Sequence, residues 1–355
     1  MHCFGLLLVR VFGLVLLFCP IPSLHTVTLV TFGSYRLRAY RSDADVDLLA
    51  LCPSSCTHED FFTTLVEMMK REPAIGEIHP ISSAYTPVIK FTIHNIHFDM
   101  LFGRVSGKSN VDKLVDFRRS SSSPPADDSE TAKNTIHNRE ATTTAEMPNE
   151  FFIEESFLMD MENDSEVRGA NGVRVTQFII DFVPNLEKFR VVLCAVKEWA
   201  TLHGIYSNVL GFLGGVNWAI MVAYVCKRYP DQMPSNLLST FFKTFATWTW
   251  PYPVLLEDDK GGNLSTGTRS VIGGTAPWCP ETNHRDARDM MPIITPVYPR
   301  SKLVLNRYGC YLWFCFFLVG DSFRCPRHPS IPQSHICFAL LFNACFATVL
   351  FSFPQ

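Results

Sequence analysis

The chain has 355 residues, a formal net charge of −3 and a pI near 6.4. This length is sufficient for two domains of about 150 residues each. The slightly acidic balance excludes a globally basic nucleic-acid binder, although a local basic patch is compatible with it. The chain has twelve cysteines, but those in its centre lack the spacing of a disulfide or zinc framework, so we expect reduced thiols there.

The first part of the chain predicts a strand, a short helix and a second strand. Residues 1–27 form an apolar leader that is typical of a secretory signal, although one arginine interrupts it and no clear cleavage site follows. Residues 27–32 predict a strand, Ser34 begins a helix that runs to about Arg38, and Asp45 to Leu51 predict a buried strand.

The chain is organised around Phe32-Gly33-Ser34 and, ten residues later, Asp45-Val46-Asp47. Side chains two apart on a strand share one side, so both aspartates could bind common cations. Gly33 lets backbone amides approach a phosphate, and Ser34 begins a helix whose N-terminus favours anions. This pattern indicates a site for metal ions and a nucleoside triphosphate. A Gly-Ser turn and an Asp-x-Asp strand end also occur by chance, and that alternative stays open on these residues alone.

A capped helix and a hairpin follow. Thr57 to Asp60 predict a helix start, and residues 87–93 and 96–102 predict two strands joined by a turn at His94-Asn95. Asp99 lies on the polar side of the second strand. Taken by itself, Asp99 would be interpreted as a solvent-facing acid on an edge strand.

The second half of the chain is predominantly helical. Residues 118–150 are rich in Ser, Thr, Pro and Asp and predict a disordered insertion. Asn185 predicts a cap for a helix that ends near Gly204, with Arg190 and Lys197 on one side of it. Further helices are predicted over 216–229 and 235–247. Residues 301–355 are apolar and rich in Cys and Phe, and their last run has about the minimum length of a membrane span.

In this order, the elements resemble nuclear poly(A) polymerases, members of the DNA polymerase beta-like nucleotidyltransferase superfamily. The matching runs are FGSYRL (32–37), ADVD (44–47), EDFF (59–62), PVIKF (87–91), NGVRVT (171–176), VPN (183–185), YSNVLGFLGGVNWA (206–219), WPYPVLL (250–256) and MPIITPVYP (291–299). The long run YSNVLGFLGGVNWA is the most specific of these and separates this family from uridylyl- and CCA-adding relatives.

The resemblance implies an α+β fold with a mixed-sheet nucleotidyltransferase palm, a helical central domain and an RNA-recognition-like C-terminal domain. The implied reaction transfers AMP from ATP to an RNA 3′ end and releases pyrophosphate. By resemblance, Asp45, Asp47 and Asp99 are the catalytic carboxylates and hold two Mg²⁺ ions, with Mn²⁺ as a substitute. One ion would activate the RNA 3′-hydroxyl and the other would hold the triphosphate.

The resemblance also assigns nucleotide contacts. The implied ATP-binding residues, besides the three acids, are Phe32, Gly33, Ser34, Arg41, Asn171, Lys197, Tyr206, Asn208, Gly215 and Val216. Phe32 to Ser34 and Lys197 would contact the triphosphate, Asn171 the sugar, and Gly215-Val216 the adenine. Without the resemblance, Lys197 would be interpreted as a solvated helix lysine and Gly215-Val216 as a helix start.

Three positions depart from the family pattern. Arg38 and Asp43 stand where the family usually has glycine, so either could strain a turn that needs positive φ, and Asp43 adds negative charge beside the metal site. Thr201 replaces a basic residue one helical turn after Lys197.

Both ends depart as well, which leads us to expect gene-model errors in residues 1 to about 27 and 301–355, with the RNA-recognition-like domain missing. The expected division is a leader (1–27), a catalytic domain (28–117), the insertion (118–150), the central domain (151–300) and a non-family tail (301–355).

The resemblance implies a nuclear location, in conflict with the signal-like leader, and mRNA 3′-end processing factors as partners. Despite the apolar ends, we do not expect membrane association. The alternatives are a nucleotidyltransferase that adds another base, and an inactive remnant or scaffold of the same family.

Overall fold

A computed structural model describes residues 27–105, 153–159, 161, 163–207, 210–256, 278–298 and 300. The signal-like leader, most of the predicted insertion and the apolar tail lie outside these residues. The strands are β1 (Thr28–Phe32), β2 (Val46–Pro53), β3 (Ile75–Ile81), β4 (Val88–Ile93) and β5 (Ile96–Val105). The helices are α1 (Gly33–Leu37), α2 (His58–Phe62), α3 (Thr64–Lys70), α4 (Glu155–Met159), α5 (Asp164–Phe182), α6 (Leu186–Leu202), α7 (Gly215–Arg228) and α8 (Pro234–Ala246).

The five strands form one mixed sheet in the order β1-β2-β5-β4-β3. Strands β2 and β5 pair in parallel, and every other neighbouring pair is antiparallel. The parallel pair is possible because α2, α3, β3 and β4 intervene between its strands and return the chain to the same end of the sheet. Strand β5 is therefore central, and Asp99 does not lie on an edge strand.

Each face of the sheet is covered by helices, and the alternation of side chains decides which residues each face buries. Leu48, Ala50, Phe98 and Met100 point to one face and pack with α2 and α3. Leu49, Leu51 and Leu101 point to the other face and pack against α4 and the first half of α5. Asp45, Asp47 and Asp99 have the parity of this second face.

The helical half has its own hydrophobic core, built from the apolar faces of α6, α7 and α8 and the second half of α5. Trp218, Phe241 and Phe245 at its centre are completely buried. Leu37, the last residue of α1, and Ala39, two residues later, are also buried in this core. The segment after α1 therefore joins the sheet half to the helical half.

Helix boundaries follow local capping chemistry. The Thr57 hydroxyl accepts from the Asp60 amide and the Asp60 carboxylate accepts from the Thr57 amide, which forms a capping box. The Asn185 side chain accepts from the Lys188 amide at the start of α6. Both predicted caps are confirmed.

Strand β3 and helix α4 were not predicted from the sequence, and helix α5 was predicted only in part. Strand β3 is largely exposed and carries Glu77, His79 and Pro80, so it lacks an apolar alternation. The sequence has a helical pattern only after residue 170, whereas helix α5 begins at Asp164 and buries Glu166, Asn171, Arg174 and Thr176. These buried polar residues obscure its helical periodicity. No described helix is long and apolar enough to cross a membrane.

Candidate active site

One row of side chains crosses the sheet at the same level and holds two of the three predicted carboxylates. Phe32 on β1 pairs with Asp47 on β2, which pairs with Asp99 on β5, which pairs with Lys90 on β4. Residues directly opposite one another on neighbouring strands point to the same face. Asp45 precedes β2 by one residue, shares the parity of Asp47 and is exposed. The structure thus brings the three predicted acids to one end of one face.

The electrostatic surroundings of Asp47 show how close the acids are. Burial, followed by the negative charges of Asp99 and Asp45, raises the pKa of Asp47 to about 7, against the opposing effects of Lys90 and Lys197. Like charges that share a desolvated site favour the protonated form. The cluster is therefore suited to bind positive charge.

Lys90 provides part of that charge in the protein itself. Its ammonium lies 2.5 Å from a carboxylate oxygen of Asp99, and the carboxylate is about one-fifth exposed. Among the described residues, no group of three or more His, Cys, Asp or Glu side chains has the arrangement of a metal site.

The Gly33 turn lies directly against Asp47. Gly33 has φ +63°, and a Cβ built on it would stand 2.3 Å from the Asp47 Oδ2 atom. The turn therefore requires glycine for both its conformation and its approach to the carboxylate. The Gly33 amide donates to the Thr176 hydroxyl at 3.1 Å, and that hydroxyl donates to the Gly172 carbonyl at 2.8 Å. Helix α5 thus fixes the turn.

Phe32 and Ser34 occupy the positions on either side of Gly33. Both side chains are half-buried, and the Phe32 ring packs closely over Gly172 of α5, where an added Cβ would lie 3.0 Å from the ring. The Phe32-Gly33-Ser34 turn and the three acids therefore stand together, as the sequence predicted for a triphosphate and metal pair.

Two cations of α6 hold the segment that follows α1. The Arg190 Nε donates to the Leu37 carbonyl and the Lys197 Nζ donates to the Ala39 carbonyl, both at 2.9 Å. Lys197 is buried, and desolvation lowers its pKa, partly offset by nearby Cys194 and Asp47. It is therefore not a solvated helix lysine but points toward the acid cluster.

Tyr206 and Gly215 close the helical side of the site. A Cβ on Gly215 would stand 2.8 Å from the Tyr206 hydroxyl, so this glycine makes room for the phenol. Burial and the charge of Asp47 raise the pKa of Tyr206. Val216 is half-buried in the first turn of α7. Asn208 lies outside the described residues.

Asn171 and Arg41 are less free than the sequence indicated. The Asn171 side chain is 7% exposed and its Oδ1 accepts from Arg174 at 3.2 Å. Arg174 also donates to the carbonyls of Ile153 and Tyr298. Arg41 forms an exposed ion pair with Asp43 at 3.1 Å and another with Glu198 at 2.9 Å. Both predicted nucleotide contacts already have protein partners.

The three departures from the family pattern have different outcomes. Arg38 has φ +53°, which confirms the expected strain at that position. Asp43 is not among the non-glycine residues with positive φ, so the expectation of strain there was wrong. Its carboxylate pairs with Arg41, whose guanidinium lowers the pKa of Asp43. The Thr201 hydroxyl donates to the Lys197 carbonyl on its own helix at 2.9 Å.

Sequence reasoning missed three residues that hold this site together: Lys90, Thr176 and Glu198. A signal for Lys90 was present, because a two-residue turn at His94-Asn95 places residues 90 and 99 opposite each other. Thr176 and Glu198 act across long sequence separations, on Gly33 and Arg41. Nothing local in the sequence marks them.

Known proteins share this arrangement of elements. Residues 25–119 match the family model of the poly(A) polymerase nucleotidyltransferase domain, and residues 188–310 match that of the poly(A) polymerase central domain. The chain belongs to the poly(A) polymerase family. This finding confirms the resemblance that the motifs from FGSYRL to MPIITPVYP indicated.

Relatives of this family in Arabidopsis thaliana include nuclear poly(A) polymerase 4, which is 36% identical over 274 residues, covering 76% of this chain and 30% of the relative. Nuclear poly(A) polymerase 2 of the same plant is 36% identical over 270 residues, covering 76% of this chain and 28% of the relative. The chain thus spans less than a third of the length of these curated poly(A) polymerases.

Among solved structures, Cid1 in complex with its short product ApU superposes with a TM-score of 0.51 at 13% identity, covering 93% of this chain and 90% of that chain. An identity this low shows the fold alone. The fold is α+β, a mixed-sheet nucleotidyltransferase palm with a poly(A) polymerase central domain, as predicted.

Proposed function

We propose that this chain is a polynucleotide adenylyltransferase that transfers AMP from ATP to an RNA 3′-hydroxyl and releases pyrophosphate. The observation that carries the proposal is the register of β2 and β5, which sets Asp47 directly beside Asp99 under the Gly33 turn. Membership of the poly(A) polymerase family supports adenine as the transferred base. No observation favours an inactive remnant.

Asp45, Asp47 and Asp99 are proposed to hold divalent cations. The donor set fits Mg²⁺, with Mn²⁺ as a substitute, because all the ligand atoms are carboxylate oxygens. Burial and the negative charges of Asp99 and Asp45 raise the pKa of Asp47, and a bound cation would offset both effects. When bound, the ions would lower the pKa of the RNA 3′-hydroxyl and neutralise charge on the triphosphate. Lys90 would give up its position on Asp99 to make that carboxylate available.

The remaining residues are proposed to bind and orient ATP. The Gly33 turn allows a close approach of the backbone to the phosphates, with Phe32 and Ser34 on either side of it. Lys197 and Tyr206 would contact the triphosphate from the helical side, and Gly215-Val216 would pack on the adenine. Arg41, Asn171 and Asn208 are secondary contacts in this proposal, and Arg41 would first have to leave Asp43 and Glu198.

We further propose that residues 28–117 form the catalytic domain and residues 151–300 the central domain. The core between α2, α3 and one sheet face lies almost entirely within the first range, and the core of α6, α7 and α8 lies almost entirely within the second, which supports this division. A third core, on the other sheet face, joins the two ranges through α4 and the first half of α5. The RNA 3′ end would be the acceptor and the nucleus the site of action, with mRNA 3′-end processing factors as partners. The naming of the relatives as nuclear enzymes supports this location.

Extension of a labelled oligo(A) primer tests the proposal. The purified chain should add residues with ATP and Mg²⁺, should retain extension with Mn²⁺, and should stop in EDTA. Parallel reactions with UTP, CTP and GTP test the alternative of another base. Extension with UTP at the rate seen with ATP would contradict adenylyl specificity, and no extension with any nucleotide would contradict the enzyme assignment.

A further inference from the structure

Helix α1 ends in a turn that ordinarily uses glycine. The Ala39 amide donates to the Ser34 carbonyl at 3.1 Å and the Arg38 amide to the Tyr35 carbonyl at 3.0 Å. This pair of hydrogen bonds defines a Schellman motif, whose penultimate residue adopts the left-handed conformation. Arg38 occupies that position with φ +53°.

The same molecule contains a matched case with the expected residue. Helix α6 ends with the Ile205 amide on the Ala200 carbonyl at 2.9 Å and the Gly204 amide on the Thr201 carbonyl at 3.0 Å. Gly204 has φ +67°, close to the value for Arg38. A side chain in this conformation is unfavourable, so the arginine at position 38 reduces local stability. Backbone strain of this kind is concentrated at functional sites.

Arg38 is also exposed between two anchored neighbours. Leu37 and Ala39 are buried, and Arg190 and Lys197 bind their carbonyls. Arg41, Arg190 and Lys197 each bond to a protein acceptor. In the described part of the chain, the Arg38 guanidinium forms no hydrogen bond or ion pair. It is thus a cation on a fixed backbone that is available to an external anion.

Arg38 lies one short helix away from the Gly33 turn of the candidate active site. Arg38 follows Gly33 by five positions, about 7.5 Å along a helix. A Cβ on Gly33 would lie 2.3 Å from Asp47, so the Arg38 backbone lies on the order of 10 Å from the carboxylate cluster. An extended arginine side chain covers much of that distance. The neighbouring residue, Ala39, accepts a hydrogen bond from Lys197, and Lys197 interacts with the charge of Asp47.

We propose that Arg38 binds the outer phosphates of the nucleoside triphosphate, and it is thus an additional substrate-binding residue of this chain. The inference rests on the proposed function for the class of substrate. A guanidinium pairs with phosphate oxygens through two parallel hydrogen bonds, which a backbone held on both sides would help to orient. Arg38 would thereby hold the part of the triphosphate that leaves as pyrophosphate.

Three substitutions separate charge from backbone strain. Arg38→Gly removes the charge and relieves the strain, Arg38→Ala removes the charge and keeps the strain, and Arg38→Lys keeps the charge. Arg71→Ala is the matched control, because Arg71 is exposed and also follows the last turn of a short helix, but in the right-handed conformation.

The kinetic readout is the KM for ATP. Loss of a charge-assisted phosphate contact should raise this KM about fivefold to tenfold in Arg38→Gly and Arg38→Ala, with kcat and the KM for the primer near wild type. Arg38→Lys should recover part of the affinity, and Arg71→Ala should match wild type. Arg38→Gly should also melt at a higher temperature than wild type. If Arg38 had only a structural role, a more stable variant would not bind ATP more weakly. An unchanged KM for ATP in Arg38→Gly, or a raised KM for the primer instead, would overturn the inference.

Binding of inorganic tripolyphosphate separates this inference from the proposed function. Calorimetry in Mg²⁺ should show binding to the wild-type chain and about fivefold weaker binding to Arg38→Gly. Equal binding to both would overturn the role of Arg38 even if primer extension succeeds. If primer extension fails but tripolyphosphate binding still depends on Arg38, the proposed function is overturned and the role of Arg38 is not.

Discussion

Replacement of Gly33 by alanine tests how closely the turn is fitted to Asp47. Alanine at φ +63° pays the left-handed conformational cost, about 1–2 kcal/mol. Its Cβ would also stand 2.3 Å from Asp47 Oδ2, so the carboxylate or the turn must move. Overpacking of this kind adds about 1–3 kcal/mol. We expect Gly33→Ala to lower the free energy of unfolding by about 3 kcal/mol.

Gly204→Ala is the matched control for this substitution. Gly204 has φ +67°, but nothing lies within 4 Å of a Cβ built on it. It should therefore lose only the conformational part, about 1–2 kcal/mol. Urea denaturation measures both values. Primer extension should fall at least about 100-fold in Gly33→Ala, because a displaced Asp47 leaves the catalytic geometry, and should stay within about threefold of wild type in Gly204→Ala.

A double mutant completes the experiment. In an Asp47→Ala background the carboxylate that clashes is absent, so Gly33→Ala should lose no more stability than Gly204→Ala. The coupling free energy between positions 33 and 47 should be about 1–2 kcal/mol. If Gly33→Ala is no less stable than Gly204→Ala, or if the coupling is zero, the close approach of the turn to Asp47 is refuted.

Three further predictions concern electrostatics and anchoring. Because the folded-state pKa of Asp47 is raised from 3.8 to about 7, the folded chain binds an additional proton between these values, and its stability should fall as the pH rises through this window in EDTA. Urea denaturation at pH 5 and pH 8 measures this fall in the free energy of unfolding. Asp47→Asn should reduce the fall by about 1–2 kcal/mol, a value lowered for the partial solvent exposure of Asp47. An equal fall in wild type and Asp47→Asn would contradict the raised pKa of Asp47. Lys197→Met should raise the KM for ATP at least about tenfold in steady-state kinetics, since it removes both a buried cation and the hydrogen bond to the Ala39 carbonyl. An unchanged KM for ATP would exclude Lys197 from the ATP site. Arg174→Met should lower the free energy of unfolding by about 3 kcal/mol, because the carbonyls of Ile153 and Tyr298 lose their buried donor. A loss under about 1 kcal/mol in the same denaturation assay would refute the anchoring role of Arg174.

The sheet half was predictable from sequence because its signals are local. A two-residue turn at His94-Asn95 fixes the register of β4 and β5, and alternation fixes the face of Asp99. The pairing of β5 with β2 is not a local property. Without that pairing, Asp99 would be interpreted as a solvent-facing acid on an edge strand.

The helical half was predictable only where an apolar face is continuous. Helices α6 and α8 bury regular stripes, and their predicted boundaries differ from the observed ones by one or two residues. Helix α5 instead buries Glu166 and Arg174, each of which has one hydrogen-bond partner far away in sequence, the Arg104 amide and the Tyr298 carbonyl. A periodicity argument cannot detect a face whose polar residues are satisfied by tertiary contacts.

The contacts of the site depend on tertiary structure even more strongly. Sequence identified Lys197 through a family resemblance, but its bond to Ala39 spans 158 residues. The strain at Arg38 was expected and is present, whereas the same expectation for Asp43 was wrong. A glycine in the family indicates positive φ at the matching position only if this chain forms the same turn there. The backbone of this chain at Asp43 does not have a positive φ.

The most direct test of the account is the single-turnover rate of oligo(A) primer extension with Mg²⁺ and ATP in four variants. Asp45→Ala, Asp47→Ala and Asp99→Ala each remove one proposed ligand, and Asp231→Ala removes an exposed acid with no role in the site. We expect a loss of at least about 1,000-fold in the first three variants, with folding retained, and a rate near wild type in the fourth. Extension near the wild-type rate by Asp47→Ala or Asp99→Ala would contradict the central claim.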